Sequence, residues 1–294
     1  VRVQWMRDDE FMWEPFGSAM TIKMKAGLDD AGSIVSWGHE LWSYPHSTRP
    51  GSGPEGANLL AAWYQASPTA PTFPNDIPQP AGGSDRNSVP LYDFPSQRIS
   101  KHYVTDAPLR TSALRTLGGY ANVFAAESFI DEAAVAAGVD PVEYRLRHMQ
   151  NPRARAVIEA TAKLAKWTSN ARGSARGDIL SGRGFAFSMY KNLACYNAVV
   201  ADVEVNRKTG EVRVVKAFSA VDAGLSVNPD GVANQIEGGI IQSTSWTLNE
   251  ALKFDRTGVK TKSWADYPIL RFTQVPAVEV QIIQRPNERS LGVG

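Results

Sequence analysis

The apolar residues of this chain come in blocks of a single period, and that ordering constrains its architecture more than any composition figure. Residues 1–42 read as strands, alternating in "AMTIKMKAGL" and "GSIVSWGHELW" around the turn signal "DDAG", which predicts a hairpin. After "LRTLGGY" the period lengthens: Val123, Ala126, Ile130, Ala133, Ala134 and Ala137 mark a helix that stops near Gly138. Asp140, Pro141 and Glu143 then form a capping-box start, and "RARAVIEATAKLAKW" predicts another helix. From Gly182 alternation returns in "RGFAFSMY", "NAVVADVEVN" and "EVRVVKAFSAVDAG", with "RKTG" as a turn and "VPAVEVQIIQR" as a later strand. Blocks of this kind predict an α+β fold, with helices layered on mixed or antiparallel sheets.

Two stretches interrupt the blocks. Residues 43–100 hold ten of the 18 prolines and should be mostly irregular, with one short helix at "GANLLAAWYQA". The polar stretch 167–181 reads as the main linker, dividing a first segment, 1–166, from a second, 182–294.

Composition narrows the function. A formal charge of +1 without a Lys/Arg stripe excludes general attraction to polyanions, and 43% apolar residues suffice for a core. The single cysteine, Cys195, excludes an internal disulfide and any cysteine-built iron–sulfur or zinc site within the chain. His39, His46, His102 and His148 lack zinc-site spacing and read as ordinary core or surface histidines. The match to G-x-G-x-x-G at Gly51, Gly53 and Gly56 follows "YPHSTRP" rather than a strand and contains Pro54, so it is no dinucleotide fingerprint. Asp8, Asp9 and Glu10 read as a solvated edge. The start lacks an initiator Met and the end stops in "SLGVG", so the chain reads as an internal piece of something longer.

Two places carry more chemistry. In "RTLGGY", Gly118 and Gly119 stand at a helix entrance with Arg115 just before them, which suits either an anion on the first helical turn or a tight loop-to-helix turn. In "NPDGVANQIEGGIIQSTSW", Asn228, Pro229 and Asp230 specify a helix start. Val232, Ile236, Ile240 and Leu248 make a buried stripe, while Gln235, Gly238, Gly239 and Gln242 occupy i, i+3, i+4 and i+7 on a second face. Each mid-helix glycine costs about 1 kcal/mol relative to alanine. A ligand against the bare backbone, read by two amides, or a close helix crossing would each account for the pair.

The ordered set "DAGLSVNP…QIEGGIIQ", "YPILRFTQVPAVEVQII" and "LGVG" resembles the molybdenum-binding large subunit of the xanthine dehydrogenase/aldehyde oxidase family. "MRDDEFMWEPFGSAM" and "AAESFIDEAA" are similar to its isoquinoline 1-oxidoreductase and nicotinate dehydrogenase branch. The resemblance implies molybdopterin-binding domains and a molybdenum–molybdopterin cofactor in its cytosine dinucleotide form. In the family, molybdenum on a pterin dithiolene hydroxylates an aromatic N-heterocycle or an aldehyde with oxygen from water. The resemblance also implies [2Fe–2S] clusters on a small partner subunit. By matching position it gives Gln235 and Gln242 the pterin edges, Gly238 and Gly239 a close-approach surface, and Arg115, Gly118 and Gly119 a loop beside the metal. Leu117 stands where purine-oxidising members carry a substrate-facing phenylalanine, which argues against purines, and Ser243 replaces a common glycine. The family's catalytic glutamate would follow Gly294, so the piece alone should be inactive. A scaffold module without cofactor is the competing reading.

Overall fold

The computed structural model describes residues 1–48, 58–72, 75–168 and 173–293. Its contacts divide the chain into two units, one formed by 15–150 with 188–193 and the other by 1–14, 151–187 and 194–294. The first is built on three strands and the second on five.

In the three-stranded unit the predicted hairpin is present: β1 (Met20–Leu28) pairs antiparallel with β2 (Ile34–Ser43). A third strand, β3 (Ser96–Tyr103), adds parallel to β2, so β2 is central. Trp37, His39 and Leu41 on one face of β2 are buried, and Trp37 stacks on Phe94 at 4.8 Å between ring centres. The short helix α2 (Leu60–Trp63) falls within the stretch expected to hold one.

Helix α3 (Gly119–Ala137) packs on β1 and stops where the sequence predicted, at Gly138, whose φ of 66° is the left-handed region glycine adopts without cost. Helix α4 (Pro141–Arg147) begins with the Asp140 carboxylate accepting from the Val142 and Glu143 N–H groups at 2.9 and 3.2 Å. It sends Arg145, fully buried, to Glu127 and Asp131 of α3 at 2.9 and 2.6 Å. Tyr92 closes the network by donating to Glu127 at 2.8 Å.

In the five-stranded unit helix α5 (Pro152–Leu164) is capped by Asn151 and lies on two strands, β6 (Tyr196–Asn206) and β7 (Val212–Asp222), which pair antiparallel as the "RKTG" turn required. Buried Thr161 ties helix to sheet, accepting from the Ala220 N–H at 3.1 Å. The remaining members are β4 (Ser174–Arg176), β5 (Ile179–Met189) and β10 (Ala277–Ile282), in the order β10-β7-β6-β5-β4, with β10 parallel to β7. A separate two-residue pair, β8 (Phe254–Asp255) and β9 (Gly258–Val259), completes the strands. Helix α6 (Pro229–Leu248) packs on β10 and β7.

Three expectations are corrected. Residues 7–13 are a helix, α1 (Arg7–Trp13), not a strand. Asp8, Asp9 and Glu10 fill its first turn, where acids favour the helix dipole, and Asp9 accepts from the Met6 N–H at 3.1 Å. The stretch 167–181 is not free linker over its described residues, because from Ser174 it forms β4 and the start of β5. Strand β3 lies in the region expected to be irregular; its residues are mostly exposed and polar, so they lack an apolar alternation. The glycine motif at 51–56 lies outside the described residues.

Candidate functional site

The two places singled out in the sequence fall in different units. In the three-stranded unit, the loop "RTLGG" enters α3 through an unusual backbone: Thr116 and Leu117 both have positive φ, 74° and 53°. A β-branched residue in the left-handed region is a steric outlier, and such strain costs on the order of 1–3 kcal/mol per residue. The Thr116 hydroxyl is buried with no hydrogen-bond partner among the described residues.

What holds the turn is its seat. The Gly118 N–H donates to the Gly83 carbonyl at 3.1 Å, and a Cβ on Gly118 would collide with the Ser84 carbonyl oxygen. Asn122, buried in the first turn of α3, donates to the carbonyls of Ser84 and Arg86, both at 2.9 Å, and its own carbonyl oxygen meets the His39 ring at 3.0 Å. The Gly119 N–H donates to the Thr116 carbonyl at 3.1 Å. These two glycine N–H groups, which an anion at the helix entrance would need, are therefore engaged by backbone carbonyls. Arg115 is exposed and Leu117 half-buried, while Gly118 and Gly119 are buried.

The seat is itself braced by charge. Asp76 accepts from the Ser84 N–H at 3.0 Å and from the Ser84 hydroxyl, and Lys101 bridges Asp76 and Asp85 at 3.0 Å each. Burial pushes the Asp76 carboxyl up, but the hydrogen bonds from Ser84 and Lys101 outweigh it and hold it below the usual carboxylate value. Buried His46, which shares a hydrogen bond with Ser43 at 3.1 Å, is pushed down to about 4, chiefly by burial. An irregular stretch was expected at "PAGGSDRNS", and this support was not; Gly82 and Gly83 beside Asp85 and Arg86 were the available signal.

In the five-stranded unit α6 starts as predicted, with Asn228 accepting from the Gly231 N–H at 3.0 Å, Pro229 in the first turn and Asp230 bonded by Asn234 at 3.1 Å. Its apolar stripe is present in part: Val232 is buried and joins Cys195, Val221 and Ala223 in a cluster with Ile236 packed against it, whereas Ile240 and Leu248 are half-buried and the other buried residues of the helix are Thr244 and Ser245. Gln235, Gly238 and Gln242 are exposed on one line, and Gly239 is half-buried. Among the described residues nothing stands within 4 Å of where a Gly238 Cβ would be, so no helix crossing among them explains that glycine. Ser243 turns inward on its own helix, donating to the Gly239 carbonyl at 2.7 Å; Thr244 donates to the Ile240 carbonyl at 2.8 Å.

The loop before α6 is fixed by Asp222, fully buried at the end of β7. It takes Arg153 through two bonds, 2.9 and 2.5 Å, Arg285 at 3.1 Å, and the Gly224 N–H at 3.0 Å. Gly224 has a φ of 70°, and its missing side chain leaves room for the Arg289 carbonyl. Leu291 then donates to the Ala223 carbonyl at 2.8 Å, which lays "RSLGV" along the loop. The four histidines each have a protein partner or stacking role, and no cluster of metal-ligating side chains occurs among the described residues.

This fold is that of the molybdenum hydroxylases: quinoline 2-oxidoreductase from Pseudomonas putida superimposes with a TM-score of 0.74 at 14% identity, over 96% of this chain and 57% of that one. Residues 104–276 match the family model of the molybdopterin cofactor-binding domain, and the chain belongs to that family. It is 40% identical to a subunit of nicotinate dehydrogenase from Pseudomonas putida over 100% of its own length. It is 28% identical to the beta subunit of isoquinoline 1-oxidoreductase from Brevundimonas diminuta over 97%. It spans 24% and 33% of the length of those two relatives.

Proposed function

We propose that the chain is part of the catalytic large subunit of a molybdenum hydroxylase acting on an aromatic N-heterocycle of the nicotinate or isoquinoline type. The observation that carries this reading is the exposed line Gln235, Gly238, Gln242 on α6, open where a Gly238 side chain would stand. A flat, polar heterocycle fits such a face: the bare backbone admits close approach, and two amides offer donors and acceptors to its edges. The residues thus suit a pterin, which the family resemblance puts in the cytosine dinucleotide form, with Gly239 widening the same approach. When bound, the molybdenum group supplies two-electron oxidation with oxygen derived from water.

In the three-stranded unit, the assigned role of Gly118 and Gly119 is to hold the turn that presents Arg115 and Leu117. Arg115 would orient charge beside the metal group and Leu117 would lie against the substrate ring, its branched aliphatic side chain favouring rings other than purines. The electrons released would pass to [2Fe–2S] clusters on a small partner subunit.

The test uses the intact large subunit with its partner, produced in a molybdenum-replete host. Elemental analysis for molybdenum and fluorescence of the released, oxidised pterin should both be positive, and Gln235→Ala should lower both. A complex free of metal and pterin would instead identify a scaffold module, and unchanged cofactor content in Gln235→Ala would remove that residue from the site.

A further inference from the structure

Gly38 lies in the middle of β2, the central strand of the three-stranded sheet, where glycine weakens a strand and packs nothing. Its φ is not positive, and an added Cβ would meet only Lys25 at an ordinary 3.6 Å. Neither backbone conformation nor crowding in this unit calls for glycine there. The remaining reason for glycine in a strand interior is the close approach of something else.

The neighbours say what that is. Gly38 is in register with Lys25 on β1 and Arg98 on β3, and Lys23 faces Glu40 one pleat further along. This part of the sheet carries a groove of about 210 Å³ lined by Lys23, Lys25, Gly38 and Arg98, together with His39, Glu40 and Ser100. Lys25 and Arg98 have no ion-pair partner among the described residues, Lys23 lies over the Trp42 ring at 4.8 Å, and Glu40 is taken by His102 at 2.9 Å. Three cations thus face one already engaged carboxylate, on a chain whose net charge is only +1.

Spacing selects the ligand. Lys23 and Lys25 are two residues apart on one strand face, about 7 Å, which is also the spacing of same-face side chains in an extended polypeptide. Lys25 and Arg98 stand two strands apart, about 10 Å, with the glycine notch between them. Trp42 stacked on His102 at 4.6 Å closes one end with an apolar surface. We propose that this face docks an extended acidic segment of another polypeptide chain, carrying carboxylates on alternate residues, which sit on Lys23, Lys25 and Arg98 while its backbone passes over Gly38. The nicotinate dehydrogenase and isoquinoline 1-oxidoreductase relatives are both subunits of larger enzymes, which supplies a reason for a partner chain.

The experiment measures fluorescence anisotropy of a labelled peptide of alternating glutamate and valine, titrated with the intact large subunit in low-salt buffer. The unmodified subunit should bind it, more weakly as salt rises. Lys25→Glu and Arg98→Glu should each weaken binding by about tenfold or more. Gly38→Val keeps every charge and suits a strand, yet should weaken binding as much; thermal melting confirms its fold, and Gly38→Ala gives the same readout should valine not be accommodated. No binding up to about 1 mM, a standard free energy near −4 kcal/mol, overturns the proposal. So does equal binding by the Gly38 variants, which would mean diffuse attraction, or binding of inorganic pyrophosphate without the peptide, which would mean a small-anion site. The readout needs no molybdenum, so its failure leaves the cofactor assignment untouched.

Discussion

The Ser84 carbonyl oxygen occupies the place where a side chain on Gly118 would begin. That relationship ties the entrance of α3 to the 82–88 loop, and it gives the two glycines of greatest interest, Gly118 and Gly238, opposite physical reasons. Gly118→Ala should therefore overpack the seat and destabilise the protein by about 1–3 kcal/mol in urea unfolding. Gly238→Ala meets open space and should leave the fold unchanged or stabilise it by up to about 1 kcal/mol, as alanine does in a helix interior. The same alanine should lower molybdenum and pterin content in the intact subunit. Retained cofactor in Gly238→Ala would mean that the open face of α6 has another purpose.

Thr116 combines a φ of 74° with a buried, unpartnered hydroxyl. Thr116→Gly relieves both and should raise stability by about 1–2 kcal/mol. If the strained turn shapes the reacting region, turnover by the intact enzyme should fall at the same time. A stability gain with unchanged kcat and KM would make the strain incidental.

Asp222 sets an acid limit for the five-stranded unit. Burial raises its pKa, and the bonds from Arg153, the Gly224 N–H and Arg285 outweigh burial and depress it. A depressed carboxylate stabilises the fold fully above its unfolded pKa, near 3.9, and loses that contribution as pH falls through the lower folded value. Asp222→Asn should cost about 2–3 kcal/mol at neutral pH, somewhat under a fully buried pair because both arginines keep some solvent. Its stability should then change less than that of the unmodified protein below about pH 4.

His46 acts in a higher window. With its folded pKa near 4 against an unfolded value near 6.5, the neutral ring is the folded form. Its contribution is complete above about pH 6.5 and is lost as pH falls toward 4, by roughly 3 kcal/mol over the window. His46→Gln should flatten the dependence of unfolding free energy on pH in that interval. An unaltered slope would place the acid sensitivity elsewhere.

What the sequence disclosed was local. Asp140 and Asn228 cap helices by reaching two or three residues, Gly138 ends one by its own backbone freedom, and each was readable in place. The helical line through Gln235, Gly238 and Gln242 follows from the 3.6-residue period alone. The support of the candidate site was not readable in this way. Asn122 reaches Ser84 across 38 residues, and Thr116 takes its left-handed backbone beside a seat formed by Gly83 and Ser84. Strand β3 carries no apolar alternation because pairing with β2 supplies its order while its side chains stay largely in water. Spacing alone left open the choice between a ligand and a helix crossing at Gly238, and the family resemblance favours the ligand.

Helix α1 is completed late. Phe11, its buried residue, sits 5.5 Å from the Trp264 ring and 5.7 Å from Tyr267, partners that the ribosome adds about 250 residues later. At roughly 5–20 residues per second, the helix waits on the order of 10–50 s after its own synthesis before its apolar side can be covered. A seven-residue helix is too short to persist alone in water over that time, so the segment emerges as an exposed apolar strip and acquires its shape only when the far end of the unit arrives.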